Sequence, residues 1–143
     1  MSIPKIMSIP KFESTNELLH YLYADLTRIS LVSSPDIILH RADRALLSPP
    51  KPPIEGIHAV QAYEEALVEA TGGTLAMDVE SISSNECFGA VLGTLRATKR
   101  GQADLAIPFC GVWRFSNGKA VEHWENALDA AELGRWLALP AGL

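Results

Sequence analysis

The stretch that decides the fold is 114–137, RFSNGKAVEHWENALDAAELGRWL. Asn117-Gly118 stands between two runs, LAIPFCGVWRF and KAVEHWEN, and this dipeptide suits the positive-φ positions of a two-residue hairpin turn. The spacing therefore predicts two antiparallel strands. A strand with one face on a core alternates apolar and polar side chains, yet Glu122, His123, Trp124 and Glu125 put a carboxylate on each face. Glu122 shares a face with Trp124, and Glu125 shares the other with His123. One carboxylate must point somewhere unusual. Beyond the strand, Asp129 followed by Glu132 can cap a last helix carrying Leu133, Trp136 and Leu137 on one side.

Working back from the hairpin, TLAMDVESI and CFGAVLGTLRAT read as two further strands of a meander. Gly89, Gly93 and Gly111 inside the long strands suit bulges and bends that curve the sheet. Gly56 opens a helix in which Ile57, Val60, Tyr63, Leu67 and Val68 share a face, and Gly72-Gly73 stops it. Before it lie a short strand, DIILHR, and a stiff loop with four prolines, LLSPPKPPIEG. At the front, Ser14 with Glu17 is a capping-box signature for a helix in which Leu18, Leu19, Leu22, Leu26 and Ile29 recur, ending near Ser33 and Pro35. Helices segregated from an antiparallel sheet mean an α+β domain with the helices on one face. Residues 14–143 are expected to form this single domain. Residues 1–13 form a flexible arm in which MSIPK occurs at Met1 and again at Met7.

Composition narrows the function classes. Hydrophobic residues are 48% and charged residues 20% of 143, a globular balance at a length that needs no disulfide or metal staple. The net charge of −5 and scattered Lys and Arg argue against a nucleic-acid partner. No apolar run approaches a membrane span, so a soluble, cytoplasmic protein is expected. Cys87 and Cys110 lack CxxC spacing and are expected to be reduced thiols buried in strands. His20, His40, His58 and His123 fall into no ligand spacing, so no metal site is expected. Gly72-Gly73 follows a helix instead of preceding one, which argues against a nucleotide cofactor.

The segment 111–137, GVWRFSNGKAVEHWENALDAAELGRWL, resembles the C-terminal signature of SnoaL-like proteins, the polyketide-cyclase branch of the superfamily of ketosteroid isomerase, scytalone dehydratase and nuclear transport factor two. DIILHR followed by IEGIHAVQAYEEAL is similar to the family's first strand and pocket-side helix, so the likeness runs from about Asn16 to Leu137. It implies a cone-shaped, curved, mixed sheet with helices on its concave face enclosing a pocket. It also implies a homodimer through the open sheet and no cofactor. In the cyclases the general base lies two residues after the histidine of the final strand, which carries over to Glu125. Their histidine on the preceding strand carries over to Gly111, where the imidazole is missing. Glu replaces the family's Asp, and Arg135-Trp136-Leu137 replaces its usual Gln-Leu-Gly run.

Two functions follow from these residues. In one, the cavity binds a small apolar carbonyl compound and works as a cofactor-independent cyclase, isomerase or dehydratase. Glu125 abstracts a proton, His123 polarises or orients an oxygen, and Trp113, His40, Tyr23, Tyr63 and Gly111 shape the binding site. In the other, the same cone is a ligand-binding or dimeric assembly module without chemistry, and His123 and Glu125 are solvated outer-face residues. Trp124 and Trp136 read as packing residues in both.

Overall fold

The computed structural model describes residues 10–138, so most of the MSIPK repeat and of the N-terminal arm lies outside the described residues. The chain is an α+β domain built on one open six-stranded sheet of order β2-β1-β6-β5-β4-β3. The strands are β1 (Ser33–His40), β2 (Ile54–Glu55), β3 (Ala76–Ser84), β4 (Phe88–Ala97), β5 (Leu105–Ser116) and β6 (Lys119–Ala127). The helices are α1 (Thr15–Ala24), α2 (Ile29–Val32), α3 (Ile57–Ala70) and α4 (Ala130–Ala138). All neighbouring strands are antiparallel except β1 and β6, which makes the sheet mixed.

Asn117 and Gly118 adopt φ 52° and 74° and close the β5–β6 hairpin with Ser116 opposite Lys119. Along β5, Leu105, Ile107, Gly111, Trp113 and Phe115 are all buried, a period of two that fixes the inner face. β6 carries one extra residue: Phe115 pairs with Ala120 and Arg114 with Glu122, leaving Val121 unopposed as a bulge. The bulge switches the phase of the strand. Ala120 and His123, three residues apart, are both buried at 0% and 4% exposure. Without it, Glu122 and Trp124 would face the core; with it, His123 and Glu125 do.

The first helix departs from its expected length. The apolar spacing predicts one helix as far as Ser33, but the chain breaks at Asp25, whose carboxylate accepts from the Thr27 amide and hydroxyl at 3.0 and 2.6 Å and starts a 3-10 turn, Leu26–Arg28. An Asx hydrogen bond of this kind competes with the helical ladder. Only four residues of α2 follow. The predicted caps do form, since Ser14 Oγ accepts from the Glu17 amide at 3.1 Å and Asp129 Oδ1 from the Glu132 amide at 2.9 Å. Leu18, Leu19 and Leu22 of α1 then pack with Ile29, Ile37, Leu39 and Val60 in the main core.

The strand glycines divide into two kinds. Gly93 sits at a bulge, where β3 inserts Glu80 between Val79 and Ser81, and a Cβ there would collide with the Asp78 carbonyl and come within 2.9 Å of Phe109. Gly89 and Gly111 are not at bulges. Each makes room for a side chain of α1, the Leu19 methyl at one and the Tyr23 hydroxyl at the other. The cysteines also differ from expectation: Cys87 is exposed in the β3–β4 connection, because the strand begins only at Phe88, and Cys110 is half-buried beside the cavity. Gly93→Ala is expected to destabilise the fold by roughly 1–3 kcal/mol through this backbone clash, a loss measurable by urea denaturation.

Candidate active site

Between the sheet and helices α1, α3 and α4 lies a cavity of about 500 Å³. Its wall on the sheet side is set by the β5–β6 register, in which Trp113 pairs with His123 and Gly111 with Glu125. Partners opposite each other point to the same face of a sheet, so these four residues form one patch of the lining. The His123 ring stacks on Trp113 with centroids 3.5 Å apart and planes 12° apart. Its Nδ1 lies 3.0 Å from the Val112 carbonyl, which requires the proton on Nδ1 and leaves Nε2 with the lone pair. Burial pushes this imidazole down to about 3, so it is neutral across the working pH range.

Glu125 is the chemically distinctive group of that patch. The Tyr63 hydroxyl on α3 donates to its Oε1 at 2.8 Å. Burial pushes the carboxyl up to about 7, against the lowering effect of the Tyr63 hydrogen bond and of the Ala42 backbone amide. Burial, and then the charge of Glu125, raises the Tyr63 phenol far above its ordinary value, so it remains a donor. Tyr23 on α1 is likewise held protonated by burial. Its oxygen accepts from Trp113 Nε1 at 3.0 Å and occupies the space that a side chain at Gly111 would need.

A second carboxyl, which the periodicity of α3 leaves out of the predicted face, joins the first. Glu64 is 2% exposed, lines the cavity, and its Oε2 has no hydrogen-bond partner. Burial first, and the charge of Glu125 second, hold it well above the ordinary carboxylate range. The signal was present in the sequence, since Val60, Glu64 and Leu67 follow the i, i+4, i+7 stripe of a buried helix face.

Polar groups at the edge of the site are committed elsewhere. Arg41 and Lys51 both pair with Asp43, at 3.0 and 2.6 Å. Arg44 donates to the carbonyls of Glu125 and Arg41 at 2.6 and 2.8 Å and to Asn126 Oδ1 at 3.0 Å, tying the post-β1 segment to β6. His40, expected to shape the binding site, is not brought to the cavity. It lies on the other face, stacked on Trp124 and 2.7 Å from Glu122, because its register partner is Trp124 rather than His123. Its hydrogen bond holds the Glu122 carboxyl below the usual range. Both carboxylates of VEHWEN are thereby placed, Glu122 outward in a hydrogen bond with His40 and an ion pair with Arg114, and Glu125 inward. Among the described residues no cluster of three His, Cys, Asp or Glu could hold a metal ion. No helix among them is long and apolar enough to cross a membrane.

Comparison with solved structures settles the architecture. Bal32a, from a soil-derived mobile gene cassette, superposes with a TM-score of 0.71 at 20% identity over 85% of this chain and 94% of its own. A candidate SnoaL-like polyketide cyclase from Jannaschia sp. CCS1 gives 0.66 at 16% identity over 92% and 99%. The chain has the SnoaL-like, cystatin-like fold. TerC, co-crystallised with polyporic acid, gives 0.64 at 14% identity over 87% and 95%. No protein-family model and no curated protein sequence matches the chain.

The buried base has a measurable thermodynamic signature. Between its ordinary 4.5 and about 7 the unfolded chain has released the Glu125 proton while the folded protein keeps it. The native state then binds more protons, and stability falls as pH rises through that window. Glu125→Gln removes this penalty, so it is expected to exceed the wild type by up to about 3 kcal/mol near pH 8 and to match it near pH 4. Denaturant melts at the two pH values check this.

Proposed function

We propose that the chain binds a small, mostly apolar carbonyl compound and catalyses a cofactor-independent proton transfer at the carbon beside the carbonyl, as an isomerase, cyclase or dehydratase does. The observation that carries this reading is a half-buried carboxyl on the wall of a mostly apolar cavity, held there by the Tyr63 hydroxyl and pushed by desolvation up to about 7. A base is most useful when its pKa lies near the operating pH, because it is then both available and strong. Glu125 is the base in this scheme. His123 offers a lone pair at Nε2, so it accepts a hydrogen bond from a ligand hydroxyl instead of polarising a carbonyl as a donor. Trp113 and Phe109 supply flat apolar walls that suit a planar ligand. The co-crystallisation of TerC with polyporic acid supports a small organic occupant for this fold.

The same proposal pairs two copies of the chain through the outer face of the sheet, where Phe88 and Leu92 are 52% and 47% exposed. It places the protein in the cytoplasm, a compartment that keeps free thiols such as Cys87 and Cys110 reduced.

A second reading, a binding module without chemistry, is favoured by one observation. Gly111 brings no imidazole to the site, and the Tyr23 hydroxyl fills the space instead. Exchange of the α-hydrogens of 2-tetralone for deuterium, followed by proton NMR, separates the two. The enzyme reading predicts acceleration by the wild type that falls by about a hundredfold or more in Glu125→Gln with binding retained. Binding of the ketone with no acceleration supports the module, and equal acceleration by the variant overturns Glu125 as the base.

A further inference from the structure

The function proposed above uses one carboxyl, but the cavity holds two. Glu64 is almost fully buried, and its Oε2 meets no donor among the described residues. An ionised carboxylate without a partner in such a site is very costly, so the group is carried as the neutral acid and becomes a donor in search of an acceptor.

The other donors of the cavity are largely spent. The Tyr63 hydroxyl is used by Glu125, the Trp113 indole by Tyr23, and His123 Nδ1–H by the Val112 carbonyl. Arg41 is bound to Asp43, and Arg44 to backbone and Asn126 oxygens. Among the described residues, the Glu64 carboxyl and the Tyr23 hydroxyl are oxygen donors of the cavity still open to an oxygen-bearing ligand. Other titratable groups around the cavity are Glu125 and His123 from β6, Cys110 from β5, Tyr63 from α3, and Arg41 and Asp43 from the segment after β1.

We propose that Glu64 is the acid partner of Glu125, giving its carboxyl proton to the carbonyl oxygen of the ligand as Glu125 takes a proton from the adjacent carbon. This rests on the enzyme reading above and names its missing acid. The step balances within the pair. The C–H bond breaks and an O–H bond forms on Glu125, the C–H electrons become the C=C of an enol, and the carbonyl electrons take the Glu64 proton. The pair holds one proton and one negative charge before and after, so no net charge is created in the low-dielectric cavity. Return of the Glu125 proton to carbon, at the same or a conjugated position, with recapture of the enol proton by Glu64, closes the cycle.

The arrangement also defines the ligand. A site already holding one negative charge, with its arginines bound to other groups, selects a neutral ketone or enone over one bearing a carboxylate or phosphate.

The test uses full-length protein and 2-tetralone labelled with ¹³C at its carbonyl. A hydrogen bond from Glu64 shifts the bound carbonyl resonance downfield, and Glu64→Leu, which keeps the site packed, is expected to abolish most of that shift. An unchanged shift in the Leu variant overturns the proposal, whether or not the ketone reacts. Glu64→Gln can donate a hydrogen bond but no proton, so it is expected to lower α-deuterium exchange by about a hundredfold and to change its pH profile. Wild-type exchange with an unaltered profile in Glu64→Gln overturns the acid role. Loss of exchange in Glu64→Gln with undiminished exchange in Glu125→Gln would overturn the assignment of Glu125 as base and with it the acid–base pair. A carboxylate-bearing tetralone is expected to bind at least tenfold more weakly than the neutral ketone, and equal binding contradicts the ligand class.

Discussion

A single extra residue in β6 decides which side chains of that strand meet the cavity. Because side chains alternate across a sheet, one inserted residue moves every later side chain to the opposite face. With Val121 unopposed, Ala120 stays in the core while His123 and Glu125, not Glu122 and Trp124, turn inward. The parallel pairing of β1 with β6 fits the same phase, setting Leu39 beside His123 on the inner face and His40 beside Trp124 on the outer. The aromatic stack of Trp113 on His123, the reach of Tyr63 to Glu125 and the outward ion pair of Glu122 all follow from this phase.

The cavity that results is chemically unusual because, among the described residues, no cation forms an ion pair with its two carboxyls, and the charge of Arg41 lowers Glu125 only against a larger desolvation. Arg41, Arg44 and Lys51 lie nearby, yet each is bound to another carboxylate or to carbonyl oxygens. Two carboxyls, one on the sheet and one on α3, are left to be stabilised by Tyr63, by the Ala42 amide, by the charge of Arg41 and by protonation. Desolvation is thus the main physical cause of the raised carboxyl pKa values at the site, with like-charge interaction adding to it at Glu64. The same desolvation keeps His123 neutral and both inner tyrosines protonated.

Much of the scaffold was legible because it rests on local rules. Asn117-Gly118, the Gly56 start and Gly72-Gly73 stop of α3, and the Ser14 and Asp129 caps are backbone requirements that particular residues meet. The inward direction of Glu125 was open, since either face of VEHWEN carries a carboxylate and only the bulge, a property of two strands together, chooses between them. Glu64 is absent from the apolar face read off α3 because that pattern registers only apolar side chains, whereas the closing cavity leaves it buried. The break at Asp25 was masked by a leucine spacing that continues in phase across it. His40 was misplaced because its side depends on a parallel register with a strand more than eighty residues away. Nothing in the residues themselves fixes the ligand.

The account stands on a cavity-lining, proton-holding Glu125. Its carboxyl can be followed directly by ¹³C NMR on protein carrying side-chain-labelled glutamate, with Glu125→Gln used to assign the resonance. The prediction is a titration midpoint near 7. A midpoint in the ordinary range of about 4 to 5 would mean that the group is solvated and ionised throughout, and would contradict both the cavity base and the shared proton.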